Sequence, residues 1–183
     1  RVEWQSLFEV AAVRERFGLE EHDVAQLDTW LADAGVRWGL DAPHRKPWGI
    51  ALDMADANQN SWLFGVERLL LGYAVGTSRL VSTDAAHSDN THDTLATPWR
   101  DTLPQPGVGG LDARVVDGLL QWLRHTQIAL IKLRQEHTPT EWVAVLQQLV
   151  ALFFKPSDEA DERLIERVMA PLETWLAECQ LAR

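Results

Sequence analysis

Apolar residues recur along most of the chain at the 3.6-residue period of an α-helix. Within residues 20–34 they are spaced by three, four and three positions: Val24, Leu27, Leu31 and Ala34. Gly35 follows at the position where a helix end favours a left-handed residue, so this helix is predicted to end there. No segment alternates apolar and polar residues as a β-strand would, and no repeat is visible. The pattern therefore predicts an all-α fold.

A second helix is predicted for WLFGVERLLLGYAV, residues 62–75, with Ser61 as its N-cap. Its apolar residues cover every side of the helix, which is typical of a helix that is buried all round. Gly65 and Gly72 lie on one stripe and would let a neighbouring segment approach closely. We therefore expect this helix to lie at the centre of the core.

Two charged residues, Glu67 and Arg68, lie within that apolar helix. A buried charge needs an ion-pair or hydrogen-bond partner. The sequence offers Asp41 as a partner for Arg68 and Arg37 as a partner for Glu67.

The second half of the chain is also helical in pattern. A long helix is predicted from residue 111 to about 137. Thr138 and Glu141 then form a capping box that starts the next helix. Ser157 is expected to cap the last helix, and Pro171 is expected to kink it.

Residues 76–110 carry no sustained period, so they are expected to form a long loop, with residues 82–95 as its most mobile part. The loop contains HSDNTHD, residues 87–93, which holds residue types that bind metals. Without a scaffold to fix ligand geometry, a solvated polar loop is the better interpretation.

Composition narrows the class of protein. The formal net charge is −10, so contact with nucleic acid would have to be local, through basic residues on one face. Cys179 is the single cysteine, which excludes an internal disulfide and fits a reducing compartment. No apolar run reaches the roughly 20 residues of a membrane span. The chain starts with Arg1, so we expect a segment cut from a larger cytoplasmic protein.

Motifs for common chemistries are missing from the sequence. There is no Walker-type phosphate loop, no C-x-x-C and no H-E-x-x-H. The sequence therefore predicts no catalytic, cofactor-binding or metal-binding residues, and an independent small enzyme is the least favoured function.

Two motifs, GVRWGLD and WLFGVERLLLGYA, together with the preceding AAVRERFGLEEHDVAQLDTWLADA, resemble the RecC family, the gamma subunit of exonuclease V. The resemblance extends over roughly residues 7–160. The residues that carry it are Val13, Arg16, Phe17, Trp30, Gly35, Arg37, Trp38, Gly39, Asp41, Trp62, Phe64, Gly65, Arg68, Leu70, Gly72 and Tyr73. Ala11 and Ala12 stand where the family usually has a proline, and TDAAHSDNTHD resembles an insertion.

The resemblance implies a single helical domain over residues 1–183, similar to subdomain 2B of superfamily-one helicases. It also implies RecB-like and RecD-like partners in a bacterial, cytoplasmic helicase and nuclease. That complex resects double-strand breaks, contacts double-stranded and single-stranded DNA, and reads the Chi sequence. ATP and Mg²⁺ would belong to the partner subunits, and this segment would catalyse nothing.

Two roles remain open for the segment: a part of the DNA-handling wall, or a docking module for other subunits that never meets DNA. Trp38 beside Arg37 suits the stacking of a base, but a buried corner closed by Gly35 and Gly39 is the favoured interpretation. Contact with DNA is expected instead from outward basic residues. The candidates are Arg45, Lys46 and Arg100.

Overall fold

A computed structural model of the chain describes residues 2–49, 57–75, 102–108 and 113–181. The α-helices in these ranges are α1 (Val2–Phe8), α2 (Ala11–Arg16), α3 (Glu21–Asp33), α4 (Ala42–Arg45), α5 (Trp62–Val75), α6 (Ala113–Leu133), α7 (Pro139–Phe153) and α8 (Glu159–Leu181), and a 3₁₀ helix spans Lys46–Trp48. No β-strand occurs in these ranges, so the all-α prediction is confirmed for them. None of the helices there is long and apolar enough to cross a membrane.

The chain divides into two compact units. The first unit comprises Arg1–Val2 and His22–Asp117, and the second comprises Glu3–Glu21 and Gly118–Arg183. The single domain expected over residues 1–183 stays a prediction. The expected loop at 76–110 falls mostly outside the described residues, as does its segment 82–95.

Helix α3 ends as its sequence predicts. Gly35 has a φ of 85° and donates its N–H to the Ala32 carbonyl (3.0 Å), while Val36 donates to the Leu31 carbonyl (2.9 Å). These two bonds form a Schellman motif, in which a left-handed residue satisfies the last carbonyls of a helix. The motif directs the chain from α3 into residues 36–49.

Helix α5 buries one stripe only. The buried residues are Trp62, Gly65, Val66, Leu69 and Gly72. On the other side Leu63, Leu70 and Tyr73 are exposed, so the prediction that the helix is buried all round is wrong within this chain. Ser61 caps the helix as predicted, with its Oγ accepting from the Phe64 N–H (3.1 Å). We call residues 35–49 together with α5 the α5 corner.

The second unit is built around a cluster of aromatic rings from α1, α6, α7 and the end of α2: Trp4, Phe8, Phe17, Trp122, His125 and Phe153. Ring centroids in the cluster are 5.2–6.3 Å apart, at tilted or edge-to-face angles that favour aromatic attraction. The capping box of Thr138 and Glu141 at the start of α7 is confirmed.

Helix α8 packs on α7 and has no buried residue along its 23 positions. The helix continues through Pro171. Its N-cap is Asp158, whose carboxylate accepts from the Asp161 N–H (2.8 Å), so the prediction of Ser157 as the cap is wrong. Ser157 instead donates its N–H and its hydroxyl to the Asp161 carboxylate. The cap lies at Asp158 and not at Ser157 because the Ser157 hydroxyl is hydrogen-bonded to the carboxylate of Asp161, in the first turn of the helix.

Candidate functional site

The guanidinium of Arg45 lies inside the α5 corner. The residue is 5% exposed, and its N–H groups donate to the carbonyls of Trp38, Ala57 (3.3 Å) and Gln59 (2.7 Å). Burial lowers the pKa of this guanidinium from its usual value. The side chain therefore ties the loop after α3 to the segment that leads into α5. The expectation that Arg45 faces outward toward DNA is corrected, because its donors are engaged by backbone oxygens.

Trp38 covers the outer side of this arginine. The Arg45 guanidinium carbon lies 4.8 Å from the centroid of the indole ring, within the range of a cation–π contact. Trp38 is nevertheless 45% exposed, so the prediction that it fills a buried corner is wrong. Arg45 occupies the inner position that the tryptophan was expected to take.

Gly39 permits this close approach. Its φ of 73° is left-handed, and a Cβ atom at this position would lie 2.7 Å from Nε of Arg45. The tight turn predicted here is confirmed, and the glycine is required twice, for its backbone angle and for the space it leaves.

Val36 is the residue that fills the corner. It is buried, and its Cγ2 atom would be 2.1 Å from a Cβ atom placed on Gly65 of α5. Sequence reasoning missed Val36 because a valine between a glycine and an arginine carries no distinctive signal. The sequence instead predicts that the larger Trp38 fills this space.

The backbone of the corner also caps α5. The carbonyls of Gly39 and Leu40 accept from the N–H groups of Trp62 (3.0 Å) and Leu63 (2.9 Å). The first N–H groups of a helix have no partner within the helix and must find one outside it. The GVRWGLD and WLFGVERLLLGYA motifs are therefore the two halves of one hydrogen-bonded structure.

Asp41 has a local role. Its carboxylate accepts from the His44 N–H (2.8 Å) and caps α4. The predicted pair of Asp41 with Arg68 is therefore wrong, because a short-range cap engages the carboxylate.

Arg68 donates to backbone oxygens. Its Nη1 bonds the carbonyls of Ala34 (2.9 Å) and Asp33 (3.3 Å), and its Nε bonds the carbonyl of Leu103 (3.0 Å). Burial lowers the pKa of the Arg68 guanidinium. Asp33 and Ala34 stand at the C-terminal end of α3, where carbonyls lack helical partners and the helix dipole favours a cation. Arg68 thus joins α5 to the end of α3 and to residues 102–108.

The second close approach occurs at Gly72. A Cβ atom there would lie 1.8 Å from the backbone oxygen of Gln105, whose N–H donates to the Arg68 carbonyl (2.8 Å). Pro104, Gln105 and Val108 of the same segment are buried. The predicted role of Gly65 and Gly72 as points of close approach is confirmed.

The remaining predicted site residues are at the surface or outside the described ranges. Arg37 and Glu67 are both exposed, so the buried pair expected between them is not needed. Lys46 is exposed, as a candidate DNA contact requires. Arg100 lies outside the described residues. Tyr73 of the family motif is 40% exposed on the outer face of α5.

One exposed aromatic residue was missed by the sequence analysis. Trp48, at the end of the 3₁₀ helix, is 73% exposed. The available signal was its position between Pro47 and Gly49, since a proline and a glycine mark a turn that lifts the intervening residue from the core. Gly49 adopts a left-handed φ of 86° there.

An ion pair with one buried partner was also missed. Asp23 of α3 is buried and lies 2.8 Å from Nη2 of Arg114 of α6, with Nε2 of His22 at 3.3 Å. The pair joins helices far apart in sequence, which periodicity alone does not reveal. Over the described ranges, no three His, Cys, Asp or Glu side chains gather as a metal site would require.

The family model of the RecBCD enzyme subunit RecC fourth domain matches residues 2–183. Similar proteins include the RecBCD enzyme subunit RecC of Escherichia coli K12, which is 28% identical over 85% of this chain, and that of Mycolicibacterium smegmatis, which is 33% identical over 77%. The subunit RecC of Haemophilus influenzae is 25% identical over 86% of the chain. The matched segment spans only 11–12% of each of these relatives. The chain therefore belongs to the RecC family, as a representative of its fourth domain.

Proposed function

We propose that this chain is a non-catalytic helical domain of a RecC-type subunit, acting in an ATP-dependent helicase and nuclease that resects double-strand breaks and responds to Chi. Its partners would be RecB-like and RecD-like subunits in the bacterial cytoplasm, which would supply the sites for ATP and Mg²⁺. Family membership supports the subunit type. The helical architecture is compatible with subdomain 2B of superfamily-one helicases.

The observation that supports a non-catalytic role is the hydrogen bonding of the two arginines in the α5 corner. Arg45 is buried and Arg68 is half-buried in the α5 corner, and both donate hydrogen bonds to backbone carbonyls. Arginines that stabilise a transition state must direct free donors toward a substrate. Donors engaged by backbone oxygens hold the fold instead.

The full-length RecC-type subunit, purified without its partners, tests this role. We expect no ATP hydrolysis and no Mg²⁺-dependent cleavage of linear duplex DNA, and both activities should appear when the partner subunits are added. An activity of the subunit alone that Asp23→Asn or Glu67→Gln abolishes, without loss of folding, would contradict the proposal. Arg134→Ala serves as a surface control, because Arg134 is exposed.

A second candidate function, docking of other parts of the complex, is favoured by helix α8. Leu164, Val168 and Trp175 are spaced to follow one side of this helix, and all three are exposed. Exposed apolar stripes of this kind are typical of surfaces that bind another protein.

Charge placed on that stripe tests the docking function. We expect Val168→Asp in the full-length subunit to weaken assembly with the partner subunits, whereas Ala170→Asp, on another side of the same helix, should not. Equal assembly of both variants would contradict docking through α8.

A further inference from the structure

The outer surface of the α5 corner carries two exposed tryptophans on either side of Arg45 in sequence. Trp38 has one ring face against the Arg45 guanidinium and remains 45% exposed. Trp48, three residues after Arg45, is 73% exposed. Leaving so much indole surface in water is unfavourable, because burial of an aromatic ring contributes strongly to folding and binding.

Exposed basic residues flank these tryptophans in the sequence, Arg37 directly before Trp38 and Lys46 two positions before Trp48. Arg37 and Lys46 are exposed, and in residues 35–49 the single carboxylate, Asp41, is engaged as the cap of α4. This stretch is locally basic although the chain as a whole has a net charge of −10. A flat aromatic surface next to exposed cations suits a ligand that offers both flat rings and negative charge.

The corner holds Trp38 in place before any ligand arrives. The Arg45 guanidinium under the ring is hydrogen-bonded to the carbonyls of Trp38, Ala57 and Gln59, so the ring packs on a side chain that the fold itself positions. A side chain that is already ordered loses little conformational entropy on binding. Such an arrangement is more useful for binding a ligand than for filling a core.

We propose that Trp38, Trp48, Arg37 and Lys46 form a binding site for single-stranded nucleic acid, which we call the tryptophan ledge. Bases would stack on the two indoles, while Arg37 and Lys46 would contact phosphates. A single strand fits better than a duplex because only unpaired bases have ring faces free to stack. The proposal rests on the proposed function, which brings the domain to DNA, and assigns a contact within it.

Photocrosslinking in the full complex tests the ledge. A forked DNA carries 5-iododeoxyuridine at successive positions of its single-stranded arms, and crosslinked peptides are identified by mass spectrometry. We expect a crosslink at Trp38 or Trp48 from at least one position. Trp48→Ala should remove a Trp48 crosslink, and Trp48→Phe should retain single-strand binding because phenylalanine keeps a stacking face.

Affinity measurements give a second readout. We expect Trp48→Ala to weaken binding of the complex to single-stranded oligothymidine roughly tenfold, as for the loss of one stacked base. Tyr73→Ala is the matched control, since Tyr73 is also an exposed aromatic residue but is not part of the ledge. The double variant Arg37→Gln, Lys46→Gln should make the salt dependence of this affinity shallower, because fewer phosphate contacts release fewer counterions.

Two outcomes would overturn the ledge and leave the proposed function in place. In the first, crosslinks map elsewhere and Trp48→Ala binds oligothymidine like the unaltered complex. In the second, Trp48→Ala weakens subunit assembly while the DNA affinity of the assembled complex stays the same, which would make the surface a protein contact. Failure of the proposed function would show itself separately, as catalysis by the isolated full-length subunit.

Discussion

Helix α5 buries five residues of a single stripe, whereas helix α8, although longer, buries none of its residues. At α5 the neighbouring segments approach so closely that two positions tolerate only glycine. Two arginines add hydrogen bonds to backbone carbonyls around the same helix. Helix α8 contacts α7 through side chains that stay partly exposed.

The difference separates two ways of using apolar residues. Around α5 they are combined with glycines and buried donors, which fix one arrangement because a small displacement would break several bonds or create a clash. Along α8 they form an amphipathic face that the chain itself covers only in part. We infer that the α5 corner supplies the stability of its unit, while α8 contributes little stability and remains available for contacts.

Alanine at Gly72 should have the largest effect on stability. The new Cβ atom would lie 1.8 Å from the Gln105 oxygen, so either α5 or residues 102–108 must move. We expect a loss of about 3 kcal/mol or more in the free energy of unfolding, measured by urea denaturation. Gly49→Ala is the control, because that glycine has open space around it and should cost only about 1–2 kcal/mol for its left-handed φ. Equal losses would contradict the close approach.

Removal of the Arg45 side chain should have the second-largest effect on stability. Arg45→Ala leaves three buried or partly buried carbonyls without their donor, for an expected loss of about 2–3 kcal/mol. Arg45→Lys should recover little, because an ammonium group lacks the planar fork that reaches several oxygens at once. Arg37→Ala, in the same loop but exposed, should stay within about 0.5 kcal/mol of the unaltered chain. A small loss of stability in Arg45→Ala would show that the corner does not depend on this arginine.

A matched pair of valines compares the two regions directly. Val36 is 1% exposed at the corner, and Val168 is 60% exposed on α8. We expect Val36→Ala to cost about 2 kcal/mol, since it removes methyl groups from a filled space. Val168→Ala should change stability by less than about 0.5 kcal/mol. Similar losses in the two variants would mean that α8 is packed as firmly as the corner.

The aromatic cluster of the second unit should show a small dependence on pH. Burial between Phe17 and Phe153, and then the positive charge of Arg16, lower the pKa of His125 from 6.5, against a hydrogen bond at Leu152 that raises it. Below pH 6.5 the unfolded chain therefore binds more protons than the folded chain, so stability falls as the pH decreases. The fall ends once the pH is below the pKa in the folded state.

His125→Phe keeps an aromatic ring and removes this titration. Urea denaturation between pH 7 and pH 5 should show a smaller loss of stability in the variant than in the unaltered chain. The same loss in both chains would contradict a role for His125.

The sequence predicted the parts of this fold that depend on local chemistry. The left-handed Gly35, the Ser61 cap and the capping box of Thr138 and Glu141 each involve residues a few positions apart, so their spacing alone indicates the structure. The sequence also predicts the close approach at Gly65 and Gly72 of α5, because residues seven positions apart share one face of a helix.

Partners distant in the sequence could not be predicted. A buried charge suggests an ion pair, so the sequence predicts a carboxylate partner for Arg68. In the structure the unpaired carbonyls at the C-terminal end of α3 accept its hydrogen bonds instead. Hydrophobicity predicts that Trp38 is buried and Arg45 is exposed, but the structure shows the reverse. The long side chain of Arg45 reverses that order by reaching backbone oxygens beneath the ring.

Hydrogen exchange of backbone amides tests the contrast between α5 and α8 most directly. It would be measured by mass spectrometry on the purified chain, and on the full-length subunit before and after the partner subunits are added. We predict that the amides of α5 exchange slowly in every sample, near the rate of global unfolding. The amides of α8 should exchange much faster in the chain and become protected only when other parts of the complex are present. Slow exchange of α8 in the isolated chain, matching that of α5, would contradict the account.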